Sequence, residues 1–144
     1  MNAADADARP TRRRRWAAAA LAGLTIAAGL GVHRLLPDTA ASDIAGDALY
    51  AVLIHLLVVA AAPRLRIAGV LLIALVWCTG VELLQLTGVP ERVGAAFPPA
   101  MLVLGTAFDP RDLVVYAVTL VVVAAADAAA TRLGSRSAAR RRTR

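Results

Sequence analysis

The sequence contains no lysine, a single cysteine and only 4% aromatic residues, and each shortage removes a class of function. With Cys78 alone, no disulfide can close within the chain, and no Cys/His cluster has metal-ligand spacing, so no structural metal and no cofactor is expected. The 16 basic side chains are all arginine and carry almost no aromatic residues among them. Bases would find no stacking surface there, which argues against a nucleic-acid partner. A phosphate-binding glycine loop and a nucleophile–base pair are also missing. What is abundant is apolar: 59% of the residues are hydrophobic and the mean hydropathy is +0.65. Soluble domains hold about half, glycine included, so the composition points to an integral membrane protein.

The chain is expected to form an all-α bundle of four transmembrane helices, at residues 16–36, 44–62, 67–86 and 113–130. Residues 1–15 are read as a basic disordered tail ending in Arg12-Arg13-Arg14-Arg15, and residues 131–144 as a second one. The first run could be a secretory signal with small residues at Thr39-Ala40-Ala41. Twenty-one residues at about 1.5 Å each nevertheless span roughly a hydrocarbon core, which favours a retained anchor. Trp16 suits an interfacial position. Ala19, Gly23, Ala27 and Gly31 recur every fourth residue, a smooth stripe on which a second copy could dock as a homo-oligomer.

Pro37 to Asp43 is an acidic turn, and Pro63-Arg64-Leu65-Arg66 a basic one. Residues 87–111 carry Gly88, Pro90, Gly94 and Pro98-Pro99, which break any long helix. Within them, 100–107 is apolar but too short to span, and is expected to lie at the interface or re-enter the bundle. Asp109-Pro110-Arg111-Asp112 reads as a helix start. Both tails and the Arg64/Arg66 turn hold 13 of the 16 arginines. The positive-inside rule therefore places both termini in the cytoplasm.

That topology gathers polar residues that are distant in sequence. The second helix begins, the third ends and the fourth begins on the outer side, so Asp47, Tyr50, Glu82, Gln85, Arg92, Asp109, Arg111, Asp112 and Tyr116 share one outer region as candidate ligand-binding residues. Glu82 is the sharpest of them. An acidic side chain within a spanning helix costs roughly 2.5–3.5 kcal/mol on insertion scales, so it marks a functional site unless it only ties helices together. Residues three or four apart share a helix face. Cys78, Glu82 and Gln85 therefore line one face of the third helix, Asp47 and Tyr50 one of the second, and Asp112 and Tyr116 one of the fourth. His55 falls near the midplane and reads as a neutral histidine bonded to a neighbouring helix. Asp127 reads as an end-of-helix residue near Arg132, and Cys78 as a packing residue.

Gly46-Asp47-Ala48-Leu49-Tyr50, Glu82-Leu83-Leu84-Gln85-Leu86, and Leu104-Gly105-Thr106-Ala107-Phe108 followed by Asp112-Leu113-Val114-Val115-Tyr116 resemble a bacterial family of small four-helix membrane proteins classed as a domain of unknown function. The likeness covers residues 16–130 and implies a multi-pass protein of the bacterial cell membrane. More distantly, the acidic opening of the second helix, the Glu-x-x-Gln pair and the acidic opening of the last helix are similar to VanZ-like proteins, associated with glycopeptide-antibiotic tolerance. Those proteins usually carry a basic residue and a histidine soon after the first Asp and an asparagine after the last. This chain has Ala48, a later His55, and Tyr116 instead. The resemblance implies the topology and the choice of Asp47, Glu82, Gln85 and Asp112, and no reaction.

Three functions fit these residues. The first is a non-enzymatic protein that binds membrane lipid or a cell-envelope component at an outward-facing polar pocket, covered by residues 97–107. The second is a membrane enzyme on a lipid-linked substrate with an acidic general base, set against a purely structural role. The third is proton-coupled transport through Asp47, His55 and Glu82, which with four helices and no internal repeat would need an oligomer.

Overall fold

A computed structural model describes residues 3–105 and 107–142, with side-chain environments for 11–105 and 107–133. The described residues form helices and no strand: α1 (Ala3–Leu35), α2 (Ala40–Ala61), α3 (Ile67–Gln85), α4 (Val89–Ala96), a 3-10 turn (Pro98–Ala100), α5 (Met101–Leu104) and α6 (Pro110–Arg142). Four stretches are long and apolar enough to cross a membrane: Thr11–Leu35, Ala40–Ala61, Ile67–Gln85 and Pro110–Leu133. Large side chains such as Leu24, Leu72, Val76, Val118 and Val122 point outward on them. Water would disfavour such a surface; lipid tails solvate it.

The helix limits follow local chemistry. Thr39 caps α2: its side chain accepts from the Ser42 amide at 3.3 Å, and Ser42 Oγ accepts from the Thr39 amide at 2.9 Å. This reciprocal box satisfies two otherwise orphaned donors and starts the helix at Ala40, a turn before the expected residue 44. Asp109 caps α6, accepting from the Arg111 amide at 2.8 Å, with Pro110 in the first position where no amide is missed. Pro90 behaves in the same way in the first turn of α4, so it starts a helix in the stretch expected to be irregular. Gly88, at φ +66°, makes the turn out of α3. The tails expected to be disordered fall partly outside the described residues, at 1–2 and 143–144; residues 3–15 and 131–142 continue α1 and α6 as helix.

α2, α3 and α6 pack on one another, while the α1 backbone approaches α2 alone. The three-helix core is Ala51, Ile54, Ala74, Cys78, Tyr116 and Leu120. Alanines at the crossings let the backbones approach closely, which is how helices associate in lipid. α1 enters through Ala18 and Ala22, both buried, with Ala18 against Val59 and Val70. The predicted stripe is one register away: Ala19, Gly23 and Ala27 are exposed and Gly31 half-buried. The start of α2, the end of α3 and the start of α6 meet at one end of this bundle. The α2–α3 turn, with Arg14 against it, marks the other.

Candidate functional site

Glu82 is fully buried at the Glu82 end of the bundle, and its two oxygens take hydrogen bonds from three directions. Tyr116 of α6 donates its hydroxyl to Oε1 at 3.1 Å, Gln85 one turn along donates Nε2 to the same oxygen at 3.5 Å, and the Asp109 amide donates to Oε2 at 3.4 Å. Of the partners that the sequence offers for Glu82, Gln85, Tyr50, Arg92 and Arg111, only Gln85 reaches it; Tyr116 and the Asp109 amide are the others. Helical spacing explains the choice: α6 opens against the end of α3, so Tyr116, in its second turn, and Asp109, which caps it, reach Glu82.

The segment between α3 and α6 closes over this end. Gln85 Nε2 also donates to the Leu104 carbonyl at 2.9 Å, and the Tyr50 hydroxyl donates to the Val103 carbonyl at 2.9 Å while accepting from Trp77 Nε1 at 3.0 Å. Two side chains of the spanning helices thus hold the last turn of α5 by its free carbonyls, groups that a helix end leaves without partners. Gly105 follows at φ +67°, and a Cβ there would collide with the Gln85 amide. The backbone conformation favours glycine, and any side chain there would push the end of Gln85 aside. Thr106 lies outside the described residues.

Beneath this cover lies a cavity of about 760 Å³. Eight of the nine predicted site residues line it: Asp47, Tyr50, Glu82, Gln85, Asp109, Arg111, Asp112 and Tyr116. The ninth, Arg92, is exposed on α4 and does not line it. Asp38, Asp43 and His33 also line it, outside the set expected from sequence. The acidic turn after α1 was the available signal for the two aspartates. The lining carries Asp38, Asp43, Asp47, Glu82, Asp109 and Asp112 against Arg111 and a histidine. Arg111 lies 3.4 Å from Asp109, 3.8 Å from Asp112 and 4.0 Å from Asp43. One guanidinium shared among three carboxylates leaves the wall negative. The Tyr50 and Tyr116 rings stand 6.0 Å apart and tilted, giving the cavity an apolar side. Among the described residues no group of three His, Cys, Asp or Glu side chains converges as a metal site would require.

His55 and Asp127 belong to the opposite end. Asp127 pairs with Arg14 of α1 at 2.6 Å, and His55 Nε2 stands 3.6 Å from the same carboxylate oxygen. His55 therefore does not share the cavity of Asp47 and Glu82, as the transport reading requires. Buried Ile54 and Leu120 of the apolar core lie between the two sets in sequence along α2 and α6.

The family model described as "Protein of unknown function (DUF2809)" matches residues 36–119, more than half of the chain. The chain belongs to this family. The DUF2809 match contains all nine predicted site residues and the whole covering segment, whereas Arg14 and Asp127 lie outside it. No curated protein and no solved structure matches the chain.

Proposed function

We propose that this chain is a non-enzymatic multi-pass protein of a bacterial plasma membrane that binds an amphiphile, a lipid or cell-envelope component, in the cavity at the Glu82 end. The positive-inside distribution of arginine supports placing that end outward and both termini in the cytoplasm. The VanZ-like pattern of Asp47, Glu82, Gln85 and Asp112 supports the same site and brings no reaction with it. The single observation that carries the reading is the cavity itself: a negative wall with a tyrosine side, under a cover pinned by Tyr50 and Gln85. An acidic, partly apolar cavity suits a headgroup with positive charge and several donors, joined to an apolar tail. The exposed stripe at Ala19, Gly23 and Ala27, with Gly31 beside it, is proposed as the contact with a second copy.

The test is native mass spectrometry of the detergent-purified protein with phosphatidylethanolamine, whose ammonium donates, and phosphatidylcholine, whose headgroup has no donor. The wild type should retain phosphatidylethanolamine preferentially, and the Asp47→Asn/Asp112→Asn pair should lose the preference while melting normally. Equal retention of both lipids by the wild type would overturn the reading. Loss of folding together with binding would assign the acids a structural role, and turnover of a labelled envelope lipid would make the protein an enzyme.

A further inference from the structure

The Arg14 end carries a second feature, independent of the cavity above. Because the α1 backbone approaches only α2, a cleft remains between α1 and α6, about 380 Å³ in volume and floored by α2. Leu21, Val52, Leu56 and Val123 make most of it apolar. At its polar end stand Arg14, His55 and Asp127.

These groups are incompletely satisfied. Arg14 donates to the Pro63 carbonyl at 2.7 Å and to Asp127 at 2.6 Å through its terminal nitrogens, but its buried Nε has no acceptor. His55 is 1% exposed; its Nε2 stands 3.6 Å from Asp127, beyond a hydrogen bond, and its Nδ1 has no partner. In a low-dielectric interior such donors cost about 1–3 kcal/mol each if left unpaired. Those nitrogens are closed off within the protein, so an occupant of the cleft lies against Arg14 and His55 without bonding to them.

The surroundings say what charge that occupant carries. Arg12, Arg13 and Arg15 are exposed beside Arg14, and Arg64 and Arg66 are exposed on the adjacent turn. Within the cleft Asp127 offsets Arg14, so the excess positive charge lies at its mouth. Such arginine clusters attract anionic headgroups at about 1 kcal/mol per residue.

We infer that the α1–α6 cleft is a binding site for one anionic phospholipid of the leaflet facing Arg12–Arg15. An acyl chain lies along Leu21, Val52 and Val123, and the phosphate sits at the mouth, where Arg12, Arg13 and Arg15 are exposed beside Arg14. This site does not depend on the proposed role of the Glu82 cavity.

Native mass spectrometry with phosphatidylglycerol and phosphatidylcholine in a neutral detergent tests it. The wild type should keep one phosphatidylglycerol with a preference of roughly tenfold. Ala126→Phe, which fills the cleft without changing charge, should remove that bound lipid at unchanged melting temperature. Arg14→Gln should bring the two lipids to parity; if it fails to fold, Ala126→Phe decides alone. Asp47→Asn/Asp112→Asn should leave phosphatidylglycerol retention as in the wild type, which separates this site from the cavity. Equal retention of both lipids by the wild type, full retention by Ala126→Phe, or a lipid-free dimer whose second copy fills the cleft would each overturn the assignment.

Discussion

The two ends of the bundle bury a carboxylate in opposite ways. Glu82 is fully enclosed and held by three neutral donors, a tyrosine hydroxyl, a side-chain amide and a backbone amide. Asp127 is partly open and held by a guanidinium, with a histidine nearby. Neutral donors spread over α3, α6 and the loop before α6 fix a shape and leave the wall of the cavity negative. A direct ion pair cancels charge locally and ties α1 to α6, a helix that its backbone does not approach. The first arrangement builds a receptacle, and the second fastens a peripheral helix.

Substitutions can break this contrast, and the largest effect belongs to Glu82. Glu82→Ala leaves the Tyr116 hydroxyl, the Gln85 amide and the Asp109 amide without their acceptor. It should cost about 2–3 kcal/mol, read as a lowered thermal midpoint by circular dichroism in detergent. Gly105→Ala should follow, at about 1–3 kcal/mol from its positive-φ, extended-ψ backbone alone. Its collision with Gln85 should also free the cover, so a thiol probe at a Leu104→Cys site would react faster. Asp127→Asn should cost about 1 kcal/mol, since the pair with Arg14 is only partly shielded. Its signature is local: proteolysis within α1 should accelerate while the cavity end stays protected. Tyr50→Phe should be mildest, about 0.6 kcal/mol, loosening α5 without unfolding the bundle. If Asp127→Asn destabilises the core as much as Glu82→Ala, the contrast fails.

The fold was largely legible because lipid imposes simple requirements. Runs of about twenty apolar residues gave α3 to within one residue, and the acidic turn at 37–43, the basic turn at 63–66 and the Gly/Pro-rich stretch after α3 separated the spans. The start of α2 was missed because Thr39 and Ser42 form a cap from two small polar residues that composition treats as loop. Pro90 was read as a breaker, though in a first turn it has no amide to lose. Helical spacing brought Asp47, Tyr50, Glu82, Gln85, Asp112 and Tyr116 to shared faces, and the topology brought those faces together. Spacing gives a face but not its rotation towards neighbours. The topology alone drew in Arg92, which is exposed on α4 outside the cavity, and spacing left Asp127 assigned to its own helix end when its partner, Arg14, lies 113 residues earlier. The α1 contact was missed by one register for the same reason: Ala18 and Ala22 are as small as Ala19 and Gly23.

The central claim, that the cavity at the Glu82 end receives a headgroup, is tested most directly by photocrosslinking in membranes. A phosphatidylethanolamine analogue bearing a diazirine close to its headgroup would be activated, and the labelled residues mapped by mass spectrometry. Labelling should concentrate at Asp47, Tyr50 and the Asp109–Tyr116 turns, and Asp47→Asn/Asp112→Asn should abolish it there. Labelling spread evenly over outward residues such as Leu72, Val76, Val118 and Val122, unchanged in that variant, would contradict the account.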